Sequence, residues 1–247
     1  MPRMKITERQ EKLLDWIVKD YINLAEPISS ESLRKRHKFG LSPATLRIEM
    51  QKLTDKGFLR QPHTSAGRVP TDKGYRFFVD RLAEEEKLTF GDTFTFDEIF
   101  EEERNDVFKF ADHLAKALAE ASSGFSVFHL LKENISWKEG WGEVLKQPEF
   151  GERDFIADFN NLLENFEEGI DNLEINSGVK IYIGRENPFS KTKEFSIMMS
   201  RCRLPKGEEG VISILGPKRM DYERNINLID SIRGLLADTS DEGQAPI

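Results

Sequence analysis

Apolar residues return at helical spacing from Thr7 to Leu24, with Leu14, Ile17, Val18, Tyr21 and Ile22 on one side. Thr7 and Gln10 form a capping box at the start, and Pro27 disfavours helix in the residue before it. A short second helix is predicted over Glu31 to His37, capped by Ser29 or Ser30 and carrying Leu33 inward. The turn Lys38-Phe39-Gly40-Leu41 follows. Ser42-Pro43 then opens a third helix, serine as cap and proline in the first turn. Leu46, Met50 and Leu53 give that helix an inward face, and Gly57 stops it. Phe58 to Gln61 reads as a strand and Pro62 to Val69 as a loop of small, polar and basic residues. Pro70-Thr71 restarts a helix carrying Tyr75, Phe77, Phe78 and Val79. Two helices across a glycine-containing turn, a third helix and a basic loop between strand-like arms spell a winged helix-turn-helix.

Beyond residue 81 the pattern changes. Residues 82–94 are charged and read as a linker. Thr95 to Ala121 is predicted as one long helix, with Thr95 and Glu98 as its capping box. Phe96, Phe100, Val107, Phe110, Leu114, Ala117 and Ala121 follow a heptad-like spacing broken at Glu103. Two readings are open: a helix that pairs with its twin through Phe100, Val107, Phe110 and Leu114, or an amphipathic helix packed on its own domain. Strands are expected at Phe125 to Leu131, Val179 to Gly184, Glu194 to Leu204 and Val211 to Leu215, the last two as a hairpin. Helices are expected at Asp154 to Ile170 and Arg219 to Leu236. Residues 238–247 look like a disordered tail. The whole is α+β: a winged helix-turn-helix over 1–81, a linking helix over 95–122 and a small α+β domain over 123–237.

The net charge of −8 hides an asymmetry. Residues 1–81 carry about +7 and the remainder about −15. A basic module joined to an acidic one fits a nucleic-acid reader better than the overall charge suggests. The start of the chain has no apolar run of signal-peptide type, and no stretch reaches membrane-helix length, so a cytoplasmic protein without membrane contact is expected. Cys202 is the single cysteine, which excludes a disulfide framework within the chain.

The candidate chemistry lies in the first module. Ser42, Ala44, Thr45, Arg47, Ile48, Gln51 and Lys52 occupy the side of the third helix away from its apolar face. Arginine reads guanine bidentately, glutamine reads adenine, and apolar groups meet the thymine methyl. Ser42, Ser29 and Ser30 stand at helix starts, where a phosphate is attracted, although each is also an ordinary cap. Arg60, His63, Thr64, Ser65 and Arg68 place polar and cationic groups on the loop, within expected reach of a phosphate or the minor groove. Elsewhere, His113 and His129 look isolated, and no metal spacing, phosphate loop or nucleophile–base set is legible. No catalytic, metal-ligating or cofactor-binding residue is assigned, and an enzyme is not expected. Arg219 and Asp221 suit an ion pair or a helix start, and Gly184-Arg185-Glu186-Asn187 a turn.

Several runs resemble the heat-inducible transcription repressor (HrcA) family. They are Thr7-Glu8-Arg9-Gln10 with Leu14 and Ile17, Glu26-Pro27-Ile28, Leu41 to Arg47, and above all Gln61 to Arg76 across the loop. Gly210 to Tyr222 is a further match, and Trp141 to Phe150 a weaker one. The resemblance implies a dimeric repressor of chaperone genes that binds an inverted-repeat operator in double-stranded DNA, assisted by a GroE-type chaperonin. It also implies a reduced GAF-like fold for the C-terminal part. Two departures stand out. Ile48 takes the place of a usual asparagine, and the chain is short by roughly a small domain, which leaves little room between Leu131 and Trp141 for the family's inserted dimerising domain. A ligand-responsive winged-helix regulator and a protein-binding module are the competing readings.

Overall fold

The computed structural model describes residues 6–38, 40–84, 106–173, 178–204 and 208–241. The chain divides into two compact units, Met1–Glu86 and Lys87–Ile247.

The first unit opens with α1 (Glu8–Leu24), α2 (Ser30–Arg36) and α3 (Pro43–Asp55). Thr7 and Gln10 close the expected capping box on α1, and Ala25 ends it in the left-handed region. Leu13, Leu14, Ile17 and Val18 of α1 meet Leu46, Met50 and Leu53 of α3 in one apolar core. Two-residue strands β1 (Leu59–Arg60) and β2 (Val69–Pro70) pair antiparallel. The helix α4 (Asp72–Glu84) then returns across α1, where Arg81 pairs with Asp15 at 2.5 Å. It runs three residues into the expected linker at 82–94, because Leu82 is still part of the core.

In the second unit, α5 spans Val107–Ser122, the described part of the long helix expected from Thr95. Asp106 stands extended before it and accepts from the amides of Phe108 and Lys109, which makes it an N-cap. Thr95, Phe96, Glu98, Phe100 and Glu103 lie outside the described residues. Two of the four residues named for the pairing reading, Phe110 and Leu114, are buried within the unit. Phe110 and Leu114 are 2% and 0% exposed, packed with Ala111, Ala115 and Leu118 against the unit's own sheet. Val107 is half-buried.

The sheet is antiparallel throughout. It is built from β3 (Phe125–Leu130), β4 (Ile135–Glu139), β5 (Lys180–Ile183), β6 (Phe195–Arg203) and β7 (Glu209–Pro217) in the order β4-β3-β7-β6-β5. Successive side chains alternate between its faces. One face carries Phe125, Val127, Phe195, Ile197, Met199, Val211 and Leu215. Against it packs α7 (Arg153–Gly169) through Phe159, Leu162, Leu163 and Phe166. The short α6 (Trp141–Val144) adds Val144 to the same cluster. The other face meets α5 and α8 (Tyr222–Asp241). There Ser126 donates to the carbonyl of Ala115 at 2.5 Å, and Ser196 bonds the Tyr222 hydroxyl at 2.8 Å. The last helix reaches Asp241, four residues into the expected tail. Residues 242–247 lie outside the described residues.

The two C-terminal runs singled out in the sequence meet in space. Arg219 donates to both carboxylate oxygens of Glu149, at 2.5 and 2.9 Å. A bidentate pair of this kind fixes orientation as well as distance. Asp221 accepts from the Arg224 amide at the start of α8, and Arg224 reaches back to the Ala121 carbonyl at the end of α5.

His129 is not isolated. It is 1% exposed, with Nδ1 at 2.8 Å from Ser136 Oγ and Nε2 at 2.9 Å from Asp171 Oδ1. Both ring nitrogens are thereby satisfied, and the imidazole ties β3 to β4 and to the turn after α7.

Cys202 on β6 is buried, and burial pushes its thiol up to about 12, against an opposing pull from Arg233. The nucleophile is the thiolate. A thiol reagent near neutral pH is therefore expected to label the chain only after unfolding, and fast labelling of the folded protein would contradict this placement.

Candidate nucleic-acid interface

The site is assembled from α2, α3 and the loop between β1 and β2. Ser29 caps α2 by accepting from the Ser32 amide, and Ser42 caps α3 by accepting from the Thr45 amide. The core residues of α3 turn one side of it inward. Ala44, Arg47, Ile48, Gln51 and Lys52 are therefore all exposed, while Thr45 is half-buried beside Ser42. Positions 44, 47, 48 and 51 form one stripe, since residues three and four apart share a helix face.

The loop is held in shape by its own residues. The Gln61 amide donates to the carbonyls of Thr64 and Ala66, both at 2.9 Å. Ser65 Oγ lies 3.3 Å from His63 Nδ1. The return arm is pinned to the segment between α1 and α2. Ile28 and Arg68 exchange two backbone hydrogen bonds, at 2.8 and 2.9 Å. Gly67 makes this approach possible, since a Cβ there would lie 2.4 Å from the carbonyl carbon and oxygen of Ile28 and 2.7 Å from the Pro27 oxygen. Those are backbone atoms on both sides. Gly67→Ala is thus expected to destabilise the N-terminal unit by about 1–3 kcal/mol, the usual range for overpacking. Thermal unfolding checks it, and an unchanged melting temperature would show that the loop gives way freely.

The outward residues differ in how far they are committed. Arg68 is only half-exposed, and it bonds to the helix: Nε donates to Thr54 Oγ1 at 3.2 Å and a terminal nitrogen to Gln51 Oε1 at 2.9 Å. Gln51 in turn donates to Asp55 at 2.8 Å. Lys52 donates to Glu49 at 2.8 Å, and that contact holds the Glu49 carboxyl below its usual range against the opposing effect of burial. Gln10 of α1 donates to the same carboxylate at 2.8 Å. Ser30 is only 7% exposed. Arg47 and Arg60 are exposed and form no side-chain hydrogen bond or ion pair among the described residues.

The structure therefore brings most of the expected residues to one side of the unit. A cleft of about 320 Å³ between α2, α3 and the loop is lined by Ser29, Arg47, Gln61, Thr64, Ser65 and Arg68, among others. Ser30 lines it as well, and Arg68, Gln51 and Lys52 have partners inside the protein. Three positioning residues escaped sequence reasoning: Gln61, Thr54 and Gly67. Gly67 had a signal as a glycine inside the long specific run; Gln61 acts on carbonyls three and five residues ahead, which a side-chain pattern does not mark, and Thr54 acts through Arg68, fourteen residues away. Among the described residues there is no group of three or more His, Cys, Asp or Glu side chains placed to hold a metal ion, and no helix is long and apolar enough to cross a membrane.

Comparison with known proteins adds a second line. A solved structure described as that of a hypothetical protein is 19% identical, matches 97% of this chain and 100% of its own, and superposes with a TM-score of 0.77. It shares the fold. A protein of Natranaerobius thermophilus named heat-inducible transcription repressor HrcA is 28% identical over 331 residues, covering 94% of this chain and 96% of its own length. Since 94% of 247 residues is about 232, about 100 aligned positions have no residue here, the size of a small domain. A protein of the same name from Streptomyces albus G is 52% identical over 84 residues, 34% of this chain and 25% of that one. The family model described as the HrcA protein C-terminal domain matches residues 77–226. With more than half of its length inside that match, the chain belongs to the HrcA family.

Proposed function

We propose that the N-terminal unit is a winged helix-turn-helix that binds duplex DNA, and that the chain represses transcription of heat-shock genes from the cytoplasm. The observation that carries this reading is the exposed stripe on α3 beside a cationic loop that is bonded to the same helix. A helix of this kind fits the major groove, and the loop, as the wing, meets the adjacent backbone. The relatives' shared name, heat-inducible transcription repressor, supports the regulatory role. No catalysis is part of this reading.

The C-terminal unit is read as a reduced GAF-like domain that carries regulation and pairing of two copies on an inverted repeat. Phe110 and Leu114 are buried within the unit, so we read that pairing on its other surfaces. Assistance by a GroE-type chaperonin belongs to the same proposal.

The test is selection of bound sequences from random duplex DNA by the purified full-length chain. The recovered pool should converge on an inverted repeat whose half-sites lie about one helical turn, ~10 base pairs, or a multiple of it apart. Affinity for the recovered duplex should fall steeply with salt, as lysine and arginine displace counterions. An unenriched pool with a flat salt response would overturn the proposal.

A further inference from the structure

The stripe on α3 has an unusual balance of free chemistry. Gln51 uses its amide oxygen on Arg68 and its amide nitrogen on Asp55. Lys52 is held by Glu49. Of the rest of the stripe, the Arg47 guanidinium has no partner among the described residues, and Ala44 and Ile48 are apolar. Ile48 is 57% exposed, although the core residues of the same helix are at 3% or less. A single exposed isoleucine is common on protein surfaces. This one sits next to an arginine without a partner among the described residues, one turn after Ala44, on the face assigned to the groove.

An isoleucine side chain has no hydrogen-bonding group. Pressed against the exposed edge of guanine, cytosine or adenine, it would strip water from donors or acceptors and return nothing. The thymine C5-methyl group is the one apolar feature that the four bases display in the major groove. A β-branched side chain in a helix is also held to essentially one χ1 rotamer, so its methyl groups are offered at a fixed place.

We propose that Ile48 is a specificity-determining residue that selects thymine through its C5-methyl group. The inference rests on the DNA-binding reading above and adds to it the identity of one base. With Arg47 beside it, the half-site should pair a guanine contact with an adjacent thymine contact.

The experiment replaces each thymine of the selected duplex in turn with deoxyuridine, which removes the methyl and keeps the base pairing. At one thymine per half-site the intact chain should lose about fourfold in affinity, the equivalent of one buried methyl group. The Ile48→Ala variant, altered at an exposed position, should bind the thymine and deoxyuridine duplexes equally at that place. In Ile48→Asn, preference at the same position should move to adenine, which asparagine reads bidentately. Uniform tolerance of deoxyuridine by the intact chain overturns the inference while leaving DNA binding intact. So does a methyl effect that persists in Ile48→Ala. Failure to bind any duplex overturns both readings together.

Discussion

Arg47→Ala should weaken binding to the selected duplex by about 5- to 150-fold per half-site, the range for losing one bidentate arginine–guanine contact. It should also flatten the sequence preference at one base pair. The folded state should be unaffected, because Arg47 is exposed and bonds to nothing else among the described residues. Binding isotherms against the selected duplex and a set of single-base variants check both parts. Full affinity with preference retained would mean that α3 does not lie in the groove as assigned. Arg68→Ala is the instructive contrast. Its guanidinium holds the loop to Thr54 and Gln51, so its removal should lower affinity for all sequences alike and also cost about 1 kcal/mol of stability.

Phe159→Ala is expected to produce the largest loss of stability, about 3–5 kcal/mol in the C-terminal unit. Its ring is fully buried and touches four others: Phe150 at 5.0 Å, Phe195 at 5.4 Å, and Phe125 and Trp141 at 5.6 Å each. Most of these contacts are edge-to-face, the arrangement aromatic quadrupoles favour. Truncation would leave a ring-sized hole between the sheet and α7 that rigid neighbours cannot fill. Denaturant unfolding followed by tryptophan fluorescence reads it, with Trp141 in direct contact. A loss under about 1 kcal/mol would show that the cluster collapses around the gap.

Local signals were legible in the sequence wherever the cause lies within a few residues. The Thr7–Gln10 box, the Ser42-Pro43 start and the glycine at position 57 set the ends of α1 and α3 to within a residue or two of those found. The strands rich in β-branched and aromatic residues emerged for the same reason. What escaped depends on partners remote in sequence. Whether Arg68 faces solvent or Thr54 is decided by how the loop folds back, and nothing near Arg68 encodes that. The heptad-like spacing of Phe110 and Leu114 is equally good for a twin helix and for a sheet, and here the sheet took it. Strand β4 was missed because its apolar signal is weak. Its burial pattern is weak, Ile135 is 39% exposed, and its pairing with β3 is set by register rather than composition.

The bonds that Arg68 makes have a consequence for speed. The loop is already joined to α3 through one guanidinium and to the segment before α2 through one backbone bridge. The entropy of ordering them is surrendered during folding, not at the encounter with a target. On the proposed reading little rearrangement would remain between collision and lock-in, so the arrival rate should be governed by diffusion and charge, and discrimination between targets should fall to how long each one is kept.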